Sequence, residues 1–133
     1  MKRARDNKKA LNEIRAVGGS FAYRLVWPEW VRRLVGDDDY FFEVLRVTLG
    51  AARPGQRPLP RMDDDQFQAL MPALRQFPRL IHLNLGLAEI TDRSIDDITT
   101  LTQLRLLYLE GTHVTDGGVA KLQRALPNCE IHR

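Results

Sequence analysis

The sequence predicts a short right-handed α/β solenoid, with parallel strands on one face, helices on the other and a helical N-terminal cap. Two observations carry this. The stretches LIHLNLGLAEITD, beginning at Leu80, and LRLLYLEGTHVTD, beginning at Leu104, share three leucines at the same offsets and an [I/V]-T-D triplet. Apolar residues at helical spacing follow each: Ile95, Ile98 and Leu101 after the first, Val119, Leu122 and Leu126 after the second. One such unit is too small to bury its own apolar face, so neighbouring units must stack.

The elements follow in chain order. ALNEIRAVG places Ala10, Leu11, Ile14 and Val17 on one helical face, and the pair Gly18-Gly19 ends the helix. SFAYRLV then alternates Phe21, Tyr23 and Leu25, the pattern of a half-buried strand. PEWVRRLVG reads as a short helix with proline at a tolerated first-turn position, and Trp27 and Trp30 cap one end of the core. Residues 1–36 thus form the N-terminal cap, and residues 37–133 the repeat domain.

VLRVTL puts Val44, Val47 and Leu49 in the slots of Leu80, Leu83 and Leu85. The breaker-rich loop GAARPGQRPLP and an extra helical turn in QALMPALRQF absorb the added length of that unit. LPNCEI sets Leu126, Cys129 and Ile131 in the slots of Leu104, Leu107 and Leu109, and Phe21 and Tyr23 fall in those of Val47 and Leu49. Five helix–strand units are expected. In each, the strand points its leucines inward, and the Thr or Asp of the triplet caps the next helix.

These residues resemble the leucine-rich repeat family. The match is to its bacterial, cysteine-containing-like subclass with I/V-T-D-x-G turns, through Gly111 to Val119 and the closing strand Leu126 to Ile131. The resemblance covers about residues 62–131, and WVRRLVGDDDYFFEVLRVTL resembles the entry region of such proteins. It implies a repeat fold that binds a partner protein on its strand face. The slot that holds Asn in many such repeats is Ala88 in one unit and Thr112 in the next. Alanine has no side-chain hydrogen bond to give, so a less regular turn is expected near residues 86–90.

Composition narrows the function. With 133 residues, 44% apolar and 28% charged, the chain is an ordinary single globular domain. No apolar run reaches the ~18 residues of a membrane span, and the basic N-terminus lacks the apolar stretch of a secretory signal. A cytoplasmic setting is therefore expected, and the single cysteine, Cys129, suits it. The net charge of +3 divides unevenly. Residues 1–15 carry six basic and two acidic groups, and the rest of the chain carries 14 and 15.

The outward strand residues are the candidate partner-binding site. Stepping by the repeat places Arg46, His82, Leu106 and Asn128 in one column, and Thr48, Asn84, Tyr108 and Glu130 in the next. Gly50, Gly86, Glu110 and His132 lie beyond. Leu106 beside Tyr108 is the informative pair, an apolar anchor on a rigid scaffold. A solvent face with one stray leucine is the bland alternative. The second hypothesis is an anionic partner, nucleic acid or an acidic surface, held by Lys2, Arg3, Arg5, Lys8 and Lys9. Nucleic acid is the weaker version, since no aromatic residue is interleaved for base stacking. A solvated helix start is the plain reading of the same charges.

Catalysis and metal binding find no support. No phosphate-binding glycine loop, G-x-S-x-G or H-E-x-x-H occurs, so no enzyme activity, cofactor or metal is expected. Cys129 falls in an inward slot, as a small hydrophobe would. Asp63 to Asp65 stand at a helix start, where carboxylates suit the dipole, and Asp37 to Asp39 follow a helix stop. A monomer, or a dimer weakly paired along the last strand, is expected. A third reading is a fragment or a single-function cap of a larger array, since three to five repeats are near the minimum for stability.

Overall fold

A computed structural model describes residues 2–25, 42–49 and 61–133. Trp27, Trp30, Asp37 to Asp39 and Gly50 lie outside the described residues. Helix α1 (Lys2–Ala16) buries Ala10 and Ile14 and half-buries Leu11. It ends where the two glycines require. Gly18, at φ 77°, donates to the Arg15 carbonyl, and Gly19 donates to the Ile14 carbonyl, both at 2.9 Å. This is the paired closure of a helix with glycine in the left-handed position.

Strand β1 (Ser20–Leu25) follows, then β2 (Phe42–Thr48), β3 (His82–Asn84), β4 (Leu106–Tyr108) and β5 (Glu130–His132). They form one open sheet in sequence order. Strands β2 to β5 are parallel, and β1 runs antiparallel to β2 with a bulge between Ala22 and Tyr23. The first strand thus corrects the expectation of parallel strands throughout. Phe21 does pair with Val47, but in the reverse sense. Side-chain alternation looks the same when a strand is turned end for end, so it cannot reveal direction.

The helices after the cap are α2 (Asp64–Leu74), α3 (Ile95–Thr99), entered through a 3₁₀ turn at Asp92–Ser94, and α4 (Asp116–Ala125). Val47, Leu83 and Leu107 are fully buried in register, with Leu85, Leu109, Ile98 and Leu122 packed in the same core. Each buried leucine contributes about 2–3 kcal/mol relative to exposure. Among the described residues no helix is long and apolar enough to cross a membrane.

The last unit needs a second correction. Ile131, not Cys129, pairs with Leu107, so Glu130 stands beside Leu106 and His132 beside Tyr108. The turn into the strand closes alike each time: Leu80 donates to Phe77, Leu104 to Leu101, and Cys129 to Leu126. Cys129 therefore takes the slot of Leu80 and Leu104. It stands one position nearer to the strand's inward residue than those leucines do. The step from β4 to β5 nonetheless equals the step from β3 to β4. Matching leucines alone cannot see this shift.

The turn near residues 86–90 closes regularly, against expectation. Ala88 donates to the Leu85 carbonyl at 3.0 Å and Thr112 to the Leu109 carbonyl at 3.2 Å, the same closure twice. The Asn84 side chain accepts from Gly86 N–H at 2.9 Å and so supplies an amide from another position.

A ladder of carboxylates ties the units together. Asp64 accepts from the Thr91 N–H (3.0 Å), the Thr91 hydroxyl (2.8 Å) and the Ser94 hydroxyl (2.5 Å). Asp92 accepts from the Thr115 N–H (2.9 Å) and hydroxyl (2.5 Å). The threonine of each pair caps its own helical turn, accepting from Arg93 N–H or Gly118 N–H. Asp63 plays that capping part for α2, within a reciprocal box with Gln66. Asp63-Asp64 thus stands where later units carry Thr-Asp.

Candidate functional site

The outward side chains of β2 to β5 form two rows perpendicular to the strands. Arg46, His82, Leu106 and Glu130 make one; Thr48, Asn84, Tyr108 and His132 make the other. Strand spacing of ~4.8 Å sets the distance between neighbours in a row. Each strand supplies two outward positions around one buried residue, so the pairs Arg46/Thr48, His82/Asn84 and Leu106/Tyr108 are held by their fully buried centres.

Rings are stacked through the middle of this surface. The Tyr108 ring lies 5.3 Å from that of His82, tilted by 33°, and 4.8 Å from that of His132, nearly parallel at 21°. Offset ring pairs at these separations are attractive beyond their buried area. Leu106 and Tyr108 are half-buried. They are a braced platform and not the freely exposed anchor pair that the sequence suggests. His132 belongs to this platform, a place that leucine matching assigns to Glu130. Carrying the step from Asn84 to Tyr108 once more along the chain finds it.

The charges sit at the ends. Arg46 Nε donates to His82 Nδ1 at 3.2 Å. Burial, and then the Arg46 guanidinium, hold the His82 pKa below its ordinary value, so this ring is the neutral acceptor that the geometry needs. At the other end the Glu130 carboxylate lies 2.9 Å from His132 Nε2. Glu110 is exposed, two residues beyond Tyr108. The structure thus brings together Arg46, Thr48, His82, Asn84, Leu106, Tyr108 and Glu130, with Glu110 at the margin.

The cationic residues of the N-terminus are elsewhere. They lie along α1, a formed helix, not a loose arm. Arg5, Lys8 and Lys9 belong to its described part, and Lys9 is 4.0 Å from Glu13 one turn on. The side chains of Lys2 and Arg3 fall outside the described residues.

Cys129 is buried, and that burial pushes its thiol pKa up, away from the thiolate a nucleophile needs. Among the described residues no group of three or more His, Cys, Asp or Glu is placed to hold a metal ion. The two histidines of the platform are separated by the Tyr108 ring. A scan against protein-family models found no match, and no curated protein matched either.

Proposed function

We propose that the chain is a short right-handed leucine-rich-repeat solenoid and a non-catalytic module that binds another protein through the outward face of its strands. The observation that carries this reading is the Tyr108 ring braced between His82 and His132 beside Leu106. Stacked rings lose little side-chain freedom when covered, which favours binding on a rigid surface. The recurring step between strands, the parallel register of β2 to β5 and the carboxylate ladder support the repeat assignment. The single cysteine, buried and unpaired, fits a reducing, cytoplasmic setting.

The test is capture from a lysate at moderate salt. It compares the native chain with the double variant Leu106→Glu/Tyr108→Ala, after circular dichroism has shown that both fold alike. Loss of a captured protein in the double variant is the expected result. If capture survives there but disappears in Arg5→Gln/Lys8→Gln/Lys9→Gln, the binding surface is the α1 helix and its partner is anionic. Steep weakening with salt would accompany that second outcome.

A further inference from the structure

The strand face is electrically polar along a single row, and the row has the length of a short extended peptide. Arg46 stands at one end and Glu130 at the other, with His82 and Leu106 between them. The second row, Thr48, Asn84, Tyr108 and His132, contains no carboxylate, lysine or arginine. Three strand steps of ~4.8 Å put the two charges ~14 Å apart at the backbone. An extended chain turns alternate side chains to one side every ~6.8 Å, so its residues i, i+2 and i+4 span ~14 Å as well. The first and last of those residues fall over Arg46 and Glu130. The middle one falls between His82 and Leu106, next to the Tyr108 ring.

We infer that the partner presents an extended segment laid across the strands, with a carboxylate over Arg46, an aromatic or aliphatic side chain over Leu106 and Tyr108, and a cation over Glu130. The pattern is acid-x-apolar-x-base. This inference rests on the strand-face reading and adds the class of partner to it. Charge complementarity selects it: a segment with two acids or two bases meets a like charge at one end, which costs both affinity and orientation. Arg46 keeps donors for a carboxylate while its Nε is held by His82, because the guanidinium carries five N–H groups.

The experiment uses three blocked pentapeptides, Asp-Gly-Trp-Gly-Lys, Asp-Gly-Trp-Gly-Asp and Lys-Gly-Trp-Gly-Lys. Each is titrated into the ¹⁵N-labelled full chain and followed by amide chemical shifts. The mixed-charge peptide is expected to bind at least fivefold more tightly than either other, with the largest shifts at the amides of Arg46, His82, Leu106 and Glu130. Arg46→Glu should turn the preference to the bis-lysine peptide, and Glu130→Lys should turn it to the bis-aspartate peptide. Equal binding of all three at those amides overturns the charge pattern while leaving the face as a binding surface. No shift at those amides with any peptide overturns the peptide inference altogether. The face itself is then judged separately, by whether Leu106→Glu/Tyr108→Ala loses its captured protein.

Discussion

Leu87 has a backbone that its side chain resists. Its φ is +64°, the left-handed region, and it is 51% exposed. The equivalent residue of the next unit is Gly111, at φ 69°, where no Cβ opposes the turn. Both turns need the same conformation to close the same hydrogen bonds, and one unit places a leucine there. The left-handed conformation costs a non-glycine residue about 1–2 kcal/mol. Part of that is offset where the Leu87 side chain lies over Gly111; a Cβ added at Gly111 would come within 2.7 Å of Leu87 Cδ2. Leu87→Gly is therefore expected to raise stability by about 0.5–1 kcal/mol, read as a higher urea midpoint. A lower midpoint would mean that the contact over Gly111 outweighs the strain.

At the scale of elements, the start of α4 shows how one unit grips the next. Asp92 reaches from the preceding 3₁₀ turn to Thr115, and it occupies the space where a side chain at residue 118 would be. A Cβ on Gly118 would collide with Asp92 Oδ1, whereas one on Gly117 meets only Thr115 Oγ1 at 3.7 Å. The two adjacent glycines thus answer oppositely to the same change. Gly117→Ala should stabilise the protein by up to about 0.5–1 kcal/mol through helix propensity. Gly118→Ala should destabilise it, because the added Cβ forces Asp92 away from its Thr115 donors. Thermal melts of the two variants test the pair. Equal effects would show that the ladder does not constrain this helix start.

The unit before solves the same contact differently. Ser94 occupies the position equivalent to Gly118, and its hydroxyl donates to Asp64 instead of leaving room for it. The recurring T-D is plain in the sequence, and so is a cap from one of its two residues; the structure makes it the threonine. The aspartate's partner is not plain in the sequence, because Asp64 reaches forward to Thr91 and Asp92 to Thr115, each in the following unit. Only stacked units bring those segments together.

For the whole molecule, stability is expected to fall in two steps as pH is lowered. Burial and the Arg46 charge depress the His82 pKa below its usual 6.5. From that value down to the folded one, the unfolded chain binds more protons, so stability declines with pH and then levels off. A second decline begins below the ordinary carboxylate value of 3.8. For Asp64, burial opposes ionisation, but hydrogen bonds from Ser94 and Thr91 and the charge of Arg93 outweigh it and lower its pKa. For Asp92, the Thr115 hydroxyl and N–H act in the same direction, opposed by slight desolvation and aided by Arg133. Both carboxylates therefore stabilise the fold above their unfolded pKa and lose that contribution as pH falls through the folded one. Urea midpoints measured from pH 8 to pH 2.5 should show both steps. His82→Gln should remove the first and leave the second, and Asp64→Asn should weaken the second alone. An unchanged profile in His82→Gln would assign the upper step to another group.

The repeat, the inward slots at Leu83 and Leu107, the helix faces through Ile98 and Leu122, and a Thr or Asp cap at each helix start are legible in the residues alone. These follow from side-chain alternation along a strand, helical periodicity and local turn chemistry, all of which act within one unit. Only the packed structure shows that β1 runs against β2 and that Asp64 and Asp92 clasp the next unit's threonines. Each of these depends on how one segment lies against another, and strand pairing and side-chain stacking settle that only when the units are packed together.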